Sequence, residues 1–342
     1  PLSGGSLIVG SHLANAMSSM PDIDLRILQT QSLHDLYEKR FKHLSDETQR
    51  RRTIVEHLNL AAMGQVVEFK PDLVLVMALA PISPWFIENT RQLGVVTAHW
   101  YVENFRYYPA NPIIPQWQVI APYYDHFFTI QKGEFFKALR DKGAKNFHYL
   151  PTACNPRIHC RIEHKEALDS RFASDICFVG SVYPNRIELF RSIQDFDIAL
   201  WGPGWPEIGD LKPYARGNGQ WVASDQETAI LNSTKIGLNL HSNLKSDTLI
   251  EKGDFLNPRV FTLAACGTFQ LVDDQEPLGE TFEIGAEVET YNDPASLREK
   301  LRYYLDHPEE RQRMADRALE HVLTEHSYTQ RSLKIMDTVS LT

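Results

Sequence analysis

The chain has 342 residues, of which 43% are hydrophobic and 23% charged, and its formal net charge is −9 at pH 7. This length allows two ordinary domains, and the composition is that of a globular protein. The acidic balance argues against a dedicated nucleic-acid-binding protein, which usually carries a basic face. Four cysteines without a CxxC pair indicate neither a zinc site nor a disulfide framework, so we expect a cytoplasmic protein with reduced thiols.

The first residues look like a loop that should follow a strand. The chain opens with Pro1 and no basic-plus-apolar signal peptide, and the apolar run 73–82 is too short to span a bilayer. We expect a first strand before Pro1 and a loop at Gly4 and Gly5 that leads into a helix.

The first half alternates between predicted strands and helices. Pro71 ends a long polar helical tract over 33–69. A helix over 134–143 ends at Gly143, as a C-terminal glycine does. Strands are predicted over 24–29, 72–79, 94–100, 125–130 and 146–151.

A polar stretch without apolar periodicity follows, and we interpret 153–173 as a linker after a domain of residues 1–152. The alternation then restarts. The predicted strands cover 175–181, 197–202, 235–241 and 287–293, and the predicted helices cover 185–193, 225–234 and the segment after Asn257. Ser224 or Asp225 is the expected cap of the second helix, and Asp293 with Pro294 starts a helical C-terminal region.

Strands that alternate with helices predict an α/β fold with parallel sheets covered on both faces. Two such runs around one linker predict two Rossmann-like domains. Ligands in such sheets bind at the carboxyl ends of the strands. The cleft between the domains is therefore the expected site.

Several predicted strands of the second half end in glycine or small polar residues, beside arginines that begin helices. Glycine allows close approach of a ligand, a helix N-terminus attracts phosphate, and arginine adds a bidentate donor. Each motif alone is more simply a turn or a surface cation, but together they predict a diphosphate site. The residues are Gly180, Ser181, Arg186, Gly202, Gly204, Asn239, His241, Asn257 and Arg259.

The sequence has no GxGxxG followed by an acid, no GxxxxGK[ST] loop and no GxSxG elbow. Against this background, residues 175–331 resemble the C-terminal domain of a GT-B glycosyltransferase, most closely the bacterial CgeB-like group. The matching segments include "FVGSVYPNR", "WGPGW" and "NPRVFTLAACGTFQLVDD". The N-terminal half matches less specifically, in "HWYVEN" and "YYDHFFTIQKG".

The resemblance implies a glycosyltransferase with a nucleotide-diphosphate sugar donor on residues 174–324 and a glycan, lipid-linked or protein acceptor on residues 1–152. A C-terminal helix, 325–342, would cross back to the first domain. No cofactor and no metal are expected, no nucleic acid is a partner, and peripheral membrane contact stays open. Arg186, Asn257 and Arg259, assisted by Ser181, would stabilise the leaving diphosphate, and Trp201 and Gly202 would lie along the nucleotide.

The sequence departs from the pattern at one position. Many GT-B enzymes have two acids spaced E-x7-E, and the second binds ribose hydroxyls. Here these positions hold Asp254 and Thr262. A threonine hydroxyl binds less strongly than a carboxylate, and it is often bonded to its own helix.

Glu103 is the candidate base, because it follows the strand that ends near Trp100. His99 is the alternative, although it lies within or at the end of that strand. Tyr101, Tyr107 and Tyr108 would suit a sugar ring or ordinary packing, and the Gly4–Gly5 loop would carry acceptor contacts.

Two other functions stay open. The protein could rearrange or hydrolyse a nucleotide sugar, as an epimerase or hydrolase does. It could also be a degenerate module that binds a glycan, a nucleotide or a partner without turnover, and Thr262 is the feature that supports this alternative.

Overall fold

The computed structural model describes residues 4–106, 116–164, 168–243 and 246–339. The helices, in chain order, are α1 (Gly4–Met17), α2 (Thr30–Arg40), α3 (Glu47–Phe69), α4 (Pro84–Gln92), α5 (Trp117–Ile120), α6 (Glu134–Asp141), α7 (Pro184–Arg191), α8 (Ser224–Asn232), α9 (Pro258–Ala265), α10 (Leu278–Thr281), α11 (Pro294–Asp306), α12 (Pro308–Glu325) and α13 (Tyr328–Val339).

The strands, in chain order, are β1 (Leu73–Met77), β2 (Val96–Tyr101), β3 (His126–Thr129), β4 (Phe147–Tyr149), β5 (Ser174–Val179), β6 (Ile198–Trp201), β7 (Ala215–Arg216), β8 (Thr234–Asn239), β9 (Gln270–Asp273) and β10 (Glu289–Tyr291). The chain divides into two compact units. Unit 1 is Pro1–Pro151 with Tyr328–Thr342, and unit 2 is Thr152–Ser327.

Unit 1 is built on a parallel sheet with the order β1-β2-β3-β4. Its core is aromatic: Phe135 packs against Trp117, Phe127 and Phe105, all within 6.3 Å between ring centroids. Helix α13 packs against α1 in this unit, so the C-terminal helix belongs to the first unit, as the sequence predicts.

Three predictions for the first half are wrong. Residues 24–29 form no strand, and Ile27 is 57% exposed, because no neighbouring strand covers a face of this segment. The tract 33–69 is two helices, since the Asp46 carboxylate accepts the N–H groups of Thr48 and Gln49 and starts α3 anew. Gly4 and Gly5 lie in the first turn of α1, not in a loop.

Unit 2 contains a parallel sheet with the order β10-β9-β8-β5-β6-β7. From β5 the chain moves outward through β6 and β7, returns to β8 on the other side of β5, and continues through β9 and β10. The strand order therefore reverses between β5 and β8. In doubly wound sheets, this reversal opens a crevice at the carboxyl ends of the two central strands, and ligands bind there.

The segment expected as a linker packs on helix α8 of unit 2. Asn232 donates to the Cys160 carbonyl and accepts the N–H of Ile162, and the Thr228 hydroxyl donates to the Ile158 carbonyl. Cys154 forms a backbone bridge with Ser327. These hydrogen bonds fix the segment, although its sequence has no apolar period.

The predicted N-terminal caps can be compared for two helices, α11 and α8. Asp293 caps α11 through a reciprocal bond with Ser296, and Pro294 is its first residue, as predicted. The predicted cap of α8 is wrong: Ala223 stands at its N-cap without a side-chain bond, and Ser224 begins the helix.

Candidate functional site

The carboxyl ends of β5 and β8 meet where the strand order of unit 2 reverses. Gly180 and Ser181 follow β5, and Asn239 ends β8. Helix α9 begins beside them, because Asn257 donates to the Asn239 side-chain oxygen at 2.8 Å. This arrangement brings together five of the predicted donor-binding positions: Gly180, Ser181, Asn239, Asn257 and Arg259.

Two glycines are required by close approach. A Cβ atom on Gly180 would lie 2.6 Å from Nη2 of Arg259. Gly202 has φ +119°, and a Cβ there would lie 2.7 Å from the Gly180 carbonyl oxygen. The backbone after β5 and β6 is therefore packed closely around the Arg259 guanidinium, and no larger residue fits without displacement.

Arg259 is half-buried and held in one orientation. Its Nε donates to the Val179 carbonyl at 2.6 Å, and its Nη1 donates to the Asn239 oxygen at 3.1 Å. The guanidinium carbon lies 4.5 Å from the ring centroid of Phe178. Nη2 makes no hydrogen bond to any residue that the structure describes, so one nitrogen of an oriented cation remains available beside Gly180.

The N-terminus of α9 is capped from within. The Asn257 side chain accepts the N–H of Arg259 at 3.0 Å, Pro258 has no N–H, and the Val260 N–H reaches the Asn257 carbonyl at 3.3 Å. The expectation of free N–H groups at this helix is therefore wrong for its first three residues. The helix dipole remains, but the Arg259 side chain supplies the hydrogen-bond donor.

Arg186 is placed differently from Arg259. Its two terminal nitrogens donate to the carbonyls of Ser181 at 2.7 Å and Leu240 at 2.9 Å, and the residue is 5% exposed. Burial and, to a smaller extent, the nearby charge of Arg259 lower the pKa of Arg186 to about 9. The two terminal nitrogens of Arg186 thus brace the loops after β5 and β8, while its Nε is buried without a hydrogen-bond partner in the described part of the chain.

Ser181 is half-buried, and neither its backbone N–H nor its hydroxyl makes a hydrogen bond to a described residue. The Asn239 side-chain nitrogen is also buried without a partner in the described part of the chain. Asn239 contacts Arg259 through its side-chain oxygen, and Ser181 directly follows Gly180, which lies beside Nη2 of Arg259. Both groups add donors of the kind that would surround an anion.

His241 and Asp273 form a buried pair behind helix α9. Nδ1 of His241 lies 2.7 Å from the Asp273 carboxylate, which also accepts the His241 backbone N–H. Nε2 of His241 lies 3.0 Å from the Asn257 backbone nitrogen, so it accepts that N–H. This pattern assigns the proton to Nδ1, and it makes His241 a support for the helix start, enclosed at 0% exposure.

Of the remaining predicted positions of unit 2, Thr262 and Trp201 are enclosed and Asp254 is not. The Thr262 hydroxyl donates to the Pro258 carbonyl of its own helix at 3.0 Å, and the residue is 3% exposed. Trp201 is 3% exposed and packs edge-on against Phe172. Asp254 is half-buried in the segment before α9.

The cysteines of this region behave as packing residues. Burial raises the pKa of Cys177 to about 12 and also raises the pKa of Cys266. A thiol with a raised pKa is a poor nucleophile. This agrees with reading the Ala264–Cys266 segment as contact between α9 and the sheet.

The unit 1 candidates differ in their access to solvent. His99 is 0% exposed, stacks on Phe127 at 5.0 Å, and burial lowers its pKa to about 3. It is uncharged at neutral pH and enclosed in the core. Tyr101 is 3% exposed and packs against Phe135. Glu103 is half-buried in a bend just after β2, while Tyr107 and Tyr108 lie outside the described residues.

One acidic residue near the site was not among the predicted residues. Glu227 lies in the first turn of α8, and its charge interacts with Arg259. The sequence predicts a helix at Glu227, but no local pattern indicates that this helix packs near Arg259. Only the packing of α8 against the sheet reveals this relation.

The described residues contain no group of three or more His, Cys, Asp and Glu side chains placed to hold a metal ion. Among them, no helix is long and apolar enough to cross a membrane.

Solved structures show the class of fold. Sucrose-phosphate synthase from Thermosynechococcus elongatus has a TM-score of 0.63 at 12% identity, over 98% of this chain and 92% of that chain. HepE from Anabaena in complex with UDP and glucose has a TM-score of 0.61 at 8% identity, over 84% and 81%. An E. coli structure described as trehalose-6-phosphate bound with UDP-2-fluoro glucose has a TM-score of 0.56 at 11% identity, over 100% and 97%. The predicted α/β fold with two Rossmann-like units, GT-B, is confirmed.

Sequence comparison shows which glycosyltransferases the chain resembles. Residues 186–337 match the family described as glycosyl transferase-like. Spore protein CgeB of Bacillus subtilis (strain 168) is 23% identical over 305 residues, which cover 85% of this chain and 91% of that protein. The resemblance to the GT-B glycosyltransferases and the CgeB-like group is therefore confirmed.

Proposed function

We propose that the protein transfers a sugar from a nucleoside-diphosphate sugar to an acceptor hydroxyl. The observation that carries this proposal is the oriented guanidinium of Arg259, with one nitrogen free beside Gly180 at the point where the strand order reverses. Such a nitrogen fits a diphosphate oxygen. HepE and the E. coli structure, which share the fold, contain UDP or a UDP-sugar, and this supports a donor of the same kind.

In the proposed reaction, the bond between the sugar's anomeric carbon and the diphosphate oxygen breaks, and the acceptor oxygen bonds to that carbon. Negative charge then grows on the leaving diphosphate. Arg259 would donate to it from Nη2, with Ser181 and the dipole of α9 assisting, and a fixed donor of this kind is worth about 10²–10³ in kcat. We propose that no metal is needed, so turnover should persist in EDTA.

Glu103 remains the proposed base in unit 1. It would accept the acceptor hydroxyl's proton, a role that requires access to solvent and a carboxylate. His99 is a weaker candidate because it is enclosed, and because its lowered pKa makes the neutral imidazole a poor proton acceptor. Unit 1 would hold the acceptor, for which a glycan, a lipid-linked molecule or a protein all remain open.

The first prediction concerns Arg259. We expect Arg259→Ala to weaken UDP binding about 10- to 100-fold, because a hydrogen bond to a charged group contributes about 1.5–3 kcal/mol. Isothermal titration with UDP, GDP and ADP measures this. Arg191→Ala is the matched control, since it removes an exposed arginine paired with Asp210. Unchanged UDP affinity in Arg259→Ala would contradict the assignment.

A second function is favoured by one observation. Thr262 stands where many GT-B enzymes have a carboxylate, and its hydroxyl is bonded to its own helix. This is compatible with a module that binds a nucleotide without turnover. Release of UDP from a UDP-sugar distinguishes the alternatives: release only with an acceptor indicates transfer, release without one indicates hydrolysis, and binding without release indicates the module.

A further inference from the structure

Glu227 is a half-buried carboxyl group without a partner. It lies in the first turn of α8, and its side chain makes no hydrogen bond and no ion pair with any residue that the structure describes. Its neighbour Asp225 in the same turn is exposed and accepts the N–H of Gln226. A carboxylate removed from water without hydrogen bonds is unfavourable, so its persistence calls for an explanation.

The packing of α8 shows what Glu227 faces. Ile230 and Leu231 follow it by three and four residues, so they share its face of the helix. Both pack in one cluster with Leu263 and Cys266 of the α9 region. Glu227 therefore points along the side of α8 that lies against α9.

The packing of Leu263 against this face of α8 relates Glu227 to α9, because Leu263 lies four residues after Arg259 on that helix. The charge of Glu227 acts on Arg259 at one end of that helix and on Cys266 at the other. Arg259, Thr262 and Cys266 are spaced by three and four residues, so they form one stripe with Thr262 in the middle. Glu227 and Arg259 are nevertheless too far apart to form an ion pair with each other.

The missing partner has a definite chemistry. The Thr262 hydroxyl already donates to Pro258, and the proposed diphosphate would lie on Arg259. Thr262 lies about one helical turn along the stripe from Arg259. A ligand group beside Thr262 would therefore be a group that is attached to the diphosphate. A vicinal diol presents two O–H donors to the two oxygens of a carboxylate, and hydrogen bonds to an ionised acceptor are strong.

We propose that Glu227 binds the ribose hydroxyls of the nucleotide whose diphosphate is held by Arg259. The carboxylate that is absent at position 262 of α9 is thus supplied by the neighbouring helix α8. This inference rests on the proposed nucleotide site, and it adds the residue that selects ribonucleotides over deoxyribonucleotides.

The test compares UDP with 2′-deoxy-UDP by isothermal titration. We expect the wild type to prefer UDP about tenfold or more, because the deoxy compound leaves a carboxylate oxygen unpaired. In Glu227→Gln the preference should fall to about twofold, mainly through weaker UDP binding. Asp225→Asn is the matched control, because it replaces a carboxylate with an amide in the same turn of α8. We expect its affinities for UDP and 2′-deoxy-UDP to equal those of the wild type.

Two further measurements separate ribose binding from a structural role. Without nucleotide, Glu227→Gln should be at least as stable as the wild type, because an enclosed charge has been removed; marked destabilisation would assign Glu227 to the fold and overturn the inference. Adding Thr262→Glu to Glu227→Gln should restore the preference for UDP.

The outcomes distinguish the two proposals. If the wild type binds UDP and 2′-deoxy-UDP equally, or if Glu227→Gln keeps the full preference, the ribose assignment is wrong while the proposed function stands. If the wild type binds neither UDP, GDP nor ADP, the nucleotide site itself is wrong. An effect of Glu227→Gln that appears only with a UDP-sugar would assign the carboxylate to the sugar and overturn the ribose assignment.

Discussion

Two arginines that look alike in the sequence have different surroundings in the structure. Both begin a helix after a glycine-containing strand end, and both were predicted to bind a diphosphate. Arg186 uses its terminal nitrogens on the carbonyls of Ser181 and Leu240, whereas Arg259 keeps Nη2 free. Arg186 is bonded to the loops that follow β5 and β8, whereas Nη2 of Arg259 lies beside Gly180, which has no side chain to cover it.

The enclosed carboxyl of Glu227 predicts a pH dependence of stability. Burial raises the pKa of Glu227, and the charge of Arg259 opposes this only in part. The folded protein therefore holds this proton more tightly than the unfolded chain. The stability that it contributes is present below the unfolded pKa and is lost as the pH rises through the folded pKa.

Without nucleotide, we expect the free energy of unfolding of Glu227→Gln to increase relative to that of the wild type as the pH rises from about 4 to about 7. The charge of Glu227 also interacts with the thiols of Cys177 and Cys266, and burial raises the pKa of both thiols, so they stay protonated in this range. Urea unfolding of both variants measures the difference. A difference that stays constant with pH would show that Glu227 titrates normally.

At the scale of elements, the start of α9 is held by residues at the ends of two strands, β8 and β9. The Asn257 side chain caps the helix, and the Asn239 side-chain oxygen accepts hydrogen bonds from Asn257 and Arg259. The backbone N–H of Asn257 donates to His241, whose ring is oriented by its hydrogen bond to Asp273. The His241–Asp273 pair is fully enclosed, so it orients the helix start and does not contact a ligand directly. Burying this network against the sheet gives Arg259 its fixed orientation.

A cap substitution tests this dependence. Asn257→Ala should lower the free energy of unfolding by about 1 kcal/mol, as the loss of an N-cap does, and it should also weaken UDP binding because Arg259 loses part of its support. Asp293→Ala removes the cap of α11, which is far along the sheet at β10, and should destabilise similarly without affecting UDP. Equal UDP affinity in both variants would show that the α9 cap acts on stability alone.

At the scale of the whole molecule, the two units are assigned different parts of the reaction. The residues that we propose for donor binding all lie in unit 2, and the proposed base Glu103 lies in unit 1. If transfer is the function, binding of the donor and activation of the acceptor should be separable by mutation. Each unit has its own sheet and its own aromatic or aliphatic core, which is consistent with such a division.

Glu103→Gln tests the division. We expect turnover with an acceptor to fall about 10²- to 10⁴-fold, the usual contribution of a general base, while the affinity for UDP stays the same. The pair of measurements is kcat by UDP release and Kd by titration. Glu134→Gln, which changes an exposed acid on α6 of the same unit, is the control. A parallel loss of UDP affinity would contradict the assignment of Glu103 to the acceptor.

The amino-acid sequence by itself determined the alternation of strands and helices, the parallel sheets and the polar residues at the strand ends. These depend on local apolar runs, caps and glycines: β1 and β5 begin within one residue of their predicted starts, and α11 begins at Pro294 as predicted. Where a local signal was ambiguous, as over 24–29, only the missing neighbouring strand excluded a β-strand.

The tertiary structure alone decided which polar residues are free to bind a ligand. Arg186, His241 and Thr262 have the residue types that suit a donor site, but their hydrogen bonds are directed to protein groups. Arg259 and Glu227 are distant in sequence, and their charges interact because residues of α8 and α9 pack in one cluster. Partnering and burial depend on contacts between distant segments, and no local pattern in the chain contains them.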